Sequence, residues 1–252
     1  MHETPGTEYP LRSPDDAASG FLDRAPDPLR YDGHTADPEE VAGIVSSFVP
    51  PGASVLDVGC GTGSVSRLVV EATGARLVGV EPDSRRAAAA RLRGLEVVET
   101  ELGPELAARL GRFDVVLFAD VLEHLADPRV LLLAARDVLV PDGVVILSVP
   151  NVAHWTVRWD LLRGRFGYRE VGILDATHLR WFTRQSLLRF VGRAGMEVLA
   201  WRATLGQDLS DYRERWPWRR LSRGARARLL RRLVRWAPPL FACRFVVKAR
   251  FR

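Results

Sequence analysis

The strongest constraint on this chain is Val55-Leu-Asp-Val-Gly-Cys-Gly-Thr-Gly63, an apolar strand that runs into three glycines spaced two apart. Glycine has no Cβ and adopts positive φ without strain, so such a turn lets the backbone approach a ligand closely. A helix starting near Ser64 offers unpaired N–H groups at the same place. Glu81 ends the next apolar run, where its carboxylate can accept two hydrogen bonds from a ribose diol. Together these features predict a cofactor lying across the carboxyl edge of a parallel sheet.

The rest of the chain supplies such a sheet. Asp37 is expected to cap a helix over Pro38–Phe48, with Val41, Ile44, Val45 and Phe48 on one face. Strands are expected at Ala53–Asp57, Arg76–Val80, Leu95–Val98, Phe113–Ala119 and Val144–Val149. Helices are expected between them at Val65–Ala72, Ser84–Arg93, Pro104–Leu110 and Pro128–Leu139. Strands alternating with helices imply right-handed βαβ units. The central runs are apolar without period two, as strands covered on both faces should be. Residues 151–182 break the rhythm with aromatic and polar groups. Thr183 is expected to cap a helix over Thr183–Ala194, followed by a strand at Met196–Trp201 and a closing strand at Phe241–Phe251.

Length and charge narrow the partners. At 252 residues the chain can form one large α/β domain with an elaboration. Two cysteines, Cys60 and Cys243, make no disulfide framework and suit a reducing cytoplasm. Residues 1–20 are polar and do not read as a signal peptide, and no run is long and apolar enough to span a membrane. The net charge of +5 hides an asymmetry, because residues 212–236 carry ten arginines and one acid, Glu214. The remaining chain is net acidic, which weighs against a nucleic-acid-binding protein as a whole.

Six segments in order carry a family resemblance: Asp57 with Gly59, Gly61 and Gly63; Gly79-Val-Glu81; Phe113-Asp-Val-Val116; Asp120-Val-Leu-Glu-His124; Leu139-Val-Pro-Asp-Gly143; and Ser148-Val-Pro-Asn151. The chain resembles a class I S-adenosylmethionine-dependent methyltransferase over roughly residues 40–202 plus the closing strand. With Gly172-Ile-Leu-Asp-Ala-Thr-His-Leu-Arg-Trp-Phe-Thr183 it is similar, more narrowly, to bacterial ubiquinone-biosynthesis O-methyltransferases and to methyltransferases of glycan and lipopolysaccharide synthesis. The resemblance implies an α/β, Rossmann-like, seven-stranded, mostly parallel sheet with an antiparallel last strand and helices on both faces. It implies that S-adenosyl-L-methionine packs its methionine and adenosine parts on Gly59, Gly61 and Gly63. Asp57 would hold the amino group, Glu81 the ribose, and Asp120 the methionine part near the reaction centre. Glu101 stands where the family often has Asp near the adenine, and its longer side chain is a departure. A nicotinamide-binding Rossmann domain would also use Glu81, but its fingerprint wants glycine where Ser64 stands.

The expected organisation is an N-terminal arm over 1–36, a core over 37–202 with a substrate lid over 151–182, a basic helical insertion over 203–240, and a closing strand over 241–252. His124 and His178 are candidate general bases for an acceptor hydroxyl, with Asp175 able to orient His178; alternatively both pack structurally, His178 in a clasp with Arg180 and Trp181. Asn151, His154 and Trp155 are candidate acceptor-binding residues. Tyr31 either folds over the cofactor or packs on the sheet edge. No spacing reads as a zinc site, nothing marks a magnesium site, and no metal is expected.

In the basic segment Leu221, Ala225, Leu229 and Leu233 recur every four residues, flanked by Leu230, Val234 and Ala237. That pattern suits a helix packing its apolar stripe on the sheet. It also suits peripheral contact with an anionic membrane face, or a grip on a lipid-linked or phosphorylated acceptor. The leading expectation is a cytoplasmic methyltransferase acting on a small-molecule, sugar or lipid-linked acceptor. A non-catalytic cofactor-binding regulator and an RNA methyltransferase are the alternatives, although nucleic acid lacks a recognition motif.

Overall fold

The computed structural model describes residues 26–207, 209, 212 and 216–252. The first 25 residues of the expected arm and residues 208, 210, 211 and 213–215 of the expected basic insertion lie outside the described residues. Seven described strands form one sheet: β1 (Ser54–Val58), β2 (Arg76–Val80), β3 (Glu96–Val98), β4 (Phe113–Ala119), β5 (Leu139–Pro150), β6 (Met196–Ala203) and β7 (Arg244–Phe251). Their order is β3-β2-β1-β4-β5-β7-β6, and only β7 runs antiparallel to its neighbours. The Rossmann-like sheet expected from the sequence is therefore present.

Alternate strand residues face opposite layers. Val55, Leu117 and Ile146 pack beneath α1 (Val41–Phe48) and α2 (Ser64–Thr73). Leu56, Phe118 and Leu147 face the other layer, which holds α5 (Pro128–Asp137) and α7 (Arg184–Arg193). Local signals fix the helix starts. The Asp83 side chain accepts the Arg86 N–H and caps α3 (Ser84–Leu92). Pro104 opens α4 (Pro104–Leu110), and Thr183 with Ser186 makes a reciprocal cap at α7. Within residues 151–182 a short α6 (Trp155–Leu161) folds, begun by His154.

Several boundaries correct the sequence reading. Asp37 does not cap α1: its carboxylate accepts the Glu39 N–H in a turn, and the helix begins three residues beyond the expected Pro38. Residues from Leu139 belong to β5, because Leu139 pairs with Phe113. The closing strand starts at Arg244, since the two prolines open a short helix α9 (Pro238–Phe241), where a missing N–H costs nothing.

The basic segment forms α8 (Arg223–Trp236), but its buried stripe is Arg226, Leu230 and Val234. Leu229, expected on the apolar stripe, is exposed. Arg231 grips both carboxylate oxygens of Glu39 at 2.6 and 2.8 Å, which ties α8 to the chain just before α1. No described helix is long and apolar enough to cross a membrane.

Candidate active site

A cavity of about 850 Å³ opens at the carboxyl ends of β1, β2 and β4. The glycine loop forms one wall. Gly59, Gly61 and Gly63 have φ of 72°, 58° and 74°, a region that disfavours other residues. A Cβ on Gly61 would meet nothing within 4 Å. On Gly63 it would lie 2.4 Å from Leu95 Cδ1, and on Gly59 2.8 Å from Val121 Cγ2. Gly59 and Gly61 border the cavity, whereas Gly63 packs inward against Leu95 and Ala90. The expectation of direct cofactor contact by Gly63 is thus corrected: it allows the loop to sit down on α3.

Glu81, buried, holds this loop from β2. Its Oε2 accepts the Gly61 N–H at 2.9 Å and its Oε1 accepts the Asp83 N–H at 3.0 Å. Each carboxylate oxygen has a further lone pair, so a diol at the cavity wall can still bind. Asp57 lies under the loop and also borders the cavity. Burial raises its carboxyl to about 7, against the Ser66 hydroxyl that donates to Oδ2 at 2.5 Å. Oδ1 is buried and has no partner. A buried carboxylate oxygen left unpaired is costly, and a cationic amino group on a ligand would pair with it. These residues therefore fit a ligand bearing both an amino group and a ribose. Glu101 borders the cavity as an exposed side chain.

Asp120 stands at the end of β4 in a left-handed conformation, φ 55°. Its Oδ1 accepts the Ser148 hydroxyl at 2.6 Å and its Oδ2 accepts Arg244 Nε–H at 2.6 Å. Burial pushes the Asp120 carboxyl up, but the Arg244 charge and the Ser148 hydrogen bond outweigh it and keep the group ionised. Arg244 borders the same cavity and was not singled out from the sequence. It lies 124 residues from Asp120 and arrives only through the antiparallel strand, so no local signal marks it.

The turn Leu122–His124 carries the next groups. His124 and His178 both border the cavity, edge to face, with ring centroids 4.7 Å apart. Burial lowers both below the usual histidine range, His178 to about 4 with a further push from His124. His178 Nδ1 lies 3.1 Å from the Ile173 carbonyl. Glu123 is buried with neither carboxylate oxygen paired, and burial with the Asp120 charge raises its carboxyl well above the usual range. One ligand atom each from Glu123, His124 and His178 lies within 4.8 Å of the others. This grouping could hold a divalent cation, where the sequence reading expected no metal.

Asp175 meets the N-terminal arm rather than His178. Its Oδ2 accepts the Tyr31 hydroxyl at 2.6 Å and Arg30 at 3.1 Å. Tyr31 therefore lies over the cavity and not at the sheet edge. The arm is pinned further by Thr62 to Asp32 at 2.8 Å, His34 to Ser64 at 2.7 Å, an Arg93–Asp32 ion pair, and Arg86 to the Pro28 carbonyl. Arg30 and His34 at the cavity were missed by sequence reasoning, since the arm has no periodic pattern.

Asn151, His154 and Trp155 are placed elsewhere, which corrects the acceptor-binding expectation. Asn151 Nδ2 donates to the carbonyls of Pro239 at 3.0 Å and Ala242 at 2.8 Å, bracing the chain before β7. His154 is fully buried between Thr156 and Tyr212, and Trp155 donates its indole N–H to the Tyr212 hydroxyl at 3.0 Å. These polar groups satisfy one another in the interior, as buried polar groups must. None of the three borders the cavity.

The profile of the methyltransferase-domain family matches residues 31–200. A ubiquinone biosynthesis O-methyltransferase of Cereibacter sphaeroides is 33% identical over 178 residues, covering 63% of this chain and 70% of that protein. The enzyme of the same name from Idiomarina loihiensis is 31% identical over 161 residues, 59% of this chain and 63% of its own. Among solved structures, a methyltransferase from Geobacter sulfurreducens in complex with S-adenosyl-L-homocysteine aligns with a TM-score of 0.56 at 19% identity, covering 89% of this chain and 96% of that one. One from Archaeoglobus fulgidus gives 0.52 at 16% identity, covering 85% and 96%. These distant likenesses establish the fold.

Proposed function

This chain belongs to the S-adenosylmethionine-dependent methyltransferases, and we propose that it methylates a hydroxyl of a small molecule, of the quinol-type phenol or sugar class. The observation that carries this reading is His124 on the cavity wall beside the loop that would seat the donor. The relatives' shared name, O-methyltransferase, agrees with a hydroxyl acceptor.

When bound, the sulfonium donor supplies an activated methyl with a good leaving group. Glu81 would hold its ribose and Asp57 its amino group, with the open face of Gly61 against it. Asp120, fixed by Ser148 and Arg244, would face the donor's methionine part. Alignment of donor and acceptor is the chief demand of an in-line transfer, and orientation can supply roughly 7–11 kcal/mol. His124 takes the acceptor proton; His178, more deeply buried and turned with its Nδ1 3.1 Å from the Ile173 carbonyl, serves as its aromatic neighbour. The arm over Arg30–His34 and the chain over 172–178 cover the site and exclude water.

Purified protein, S-adenosylmethionine and a panel of catechols, hydroxylated sugars and short RNA test this. The expected result is adenosylhomocysteine together with a catechol or sugar heavier by one methylene. Turnover on RNA alone, or donor binding with no turnover, would overturn it. A second reading concerns location: Arg228, Arg232, Arg235 and Trp236 are exposed on α8, which supports peripheral contact with an anionic lipid surface. Salt-sensitive co-sedimentation with phosphatidylglycerol vesicles, lost when these arginines become glutamate, tests it. Equal binding to neutral vesicles would contradict it.

A further inference from the structure

Two acceptors converge on one nitrogen of His124. Its Nδ1 lies 3.0 Å from the Thr177 hydroxyl and 3.3 Å from the Thr177 carbonyl. A carbonyl oxygen can only accept. The hydroxyl has a single proton, and that proton is already given to Asp175 Oδ1 at 2.6 Å. Asp175 is an acceptor only, because its hydrogen bonds from Thr177 and Tyr31 hold it ionised against the effect of burial. Arg30 adds a donor to the same hydroxyl oxygen at 3.1 Å, which further fixes its proton on Asp175. Toward His124 the Thr177 hydroxyl can therefore only accept.

We propose that Asp175 and Thr177 are positioning residues that lock His124 with its proton on Nδ1, leaving Nε2 as the nitrogen that takes the acceptor proton. The chain Asp175–Thr177–His124 fixes tautomer and ring orientation together. Tyr31 and Arg30 hold Asp175 from the arm, so an arm seated on the cavity and a correctly set base occur together. Neither Asp175 nor Thr177 meets the reacting atoms in this scheme. The proposal rests on His124 being the proton acceptor, and it names what gives that histidine its working tautomer.

Nitrogen-15 spectra of histidine-labelled protein report the tautomer without any acceptor. In the wild type the His124 resonances are expected to show a protonated Nδ1 and a bare Nε2. Thr177→Val keeps the side-chain shape and removes the nearer acceptor, leaving only the carbonyl at 3.3 Å, and should weaken the lock enough to bring a mixture of tautomers. Asp175→Ala, which removes the acceptor of the Thr177 proton and lets it turn toward His124, should shift the balance the same way; Thr177→Ser should restore the wild-type signature. With a catechol acceptor, Thr177→Val should lower kcat roughly ten- to a hundredfold, with KM for the donor unchanged and rescue by Thr177→Ser. A wild-type Nε2–H tautomer, or a Thr177→Val protein with both tautomer and kcat unchanged, would overturn the positioning role. His124→Gln leaving kcat unchanged, while Thr177→Val still shifts the tautomer, would instead remove the base assignment.

Discussion

Gly61 and Gly63 share a left-handed backbone but meet different surroundings, and substitution should separate them. Gly61→Ala adds a methyl facing open cavity, at a backbone cost of about 1–2 kcal/mol. It should fold, and calorimetry should show weakened donor binding. Gly63→Ala places the methyl against Leu95 and the Ala90 backbone in addition to the strain, so a loss of several degrees in Tm beyond that of Gly61→Ala is expected. His124 gives a pH prediction. Burial lowers its pKa below 6.5, so it is neutral at pH 7 and gains its proton only on further acidification. A kcat profile should therefore fall on the acid side with its midpoint below the ordinary histidine value; a midpoint above that value would contradict the burial effect.

At this scale the sequence showed what is local. Asp57, the glycines, Glu81 and His124 lie in short motifs tied to strand ends, and the cavity gathers all of them but Gly63. Arg244 and Arg30 come from distant chain and were invisible. Asn151, His154 and Trp155 were misplaced because a polar run after a strand end looks like a pocket wall, whereas here it is an interior hydrogen-bonded brace.

Among the elements, α8 shows how a correct helix can be given the wrong face. The spacing of Leu221, Ala225, Leu229 and Leu233 suggested one stripe, but the buried stripe lies one position further along, at Arg226, Leu230 and Val234. A run with leucines at adjacent positions does not fix its own rotation. Docking does, here through the Arg231–Glu39 ion pair and the core under Leu230. Leu230→Ala should cost about 2–5 kcal/mol by leaving a core cavity, while Leu229→Ala should cost little. Denaturant midpoints of the two variants decide the orientation; equal effects would refute it. The strands were legible to within a few residues because fully covered parallel strands are continuous apolar runs.

For the whole molecule, the arm and the Asp175 segment meet over the cavity through side chains, with the sheet beneath. Thr62, Ser64 and Arg86 anchor the arm to the glycine loop and to the starts of α2 and α3 beside it. Donor binding should therefore slow hydrogen exchange in residues 26–36 more than in β5 or β7; exchange unaffected by adenosylhomocysteine would show that the arm does not close on the ligand. The sequence offered Tyr31 over the cofactor as one of two readings of this strap, while its contacts through Arg30, Asp32 and His34 are fixed only once the sheet is built.

Calorimetric titration of adenosylhomocysteine into the wild type and Glu81→Ala probes the seat of the donor most directly. One site per chain is expected, weakened at least about tenfold in the variant, which loses both the acceptor for the ribose and the brace on the Gly61 loop. Equal affinity in both proteins, or a protein that ignores adenosylhomocysteine and takes up a nicotinamide dinucleotide instead, would contradict it.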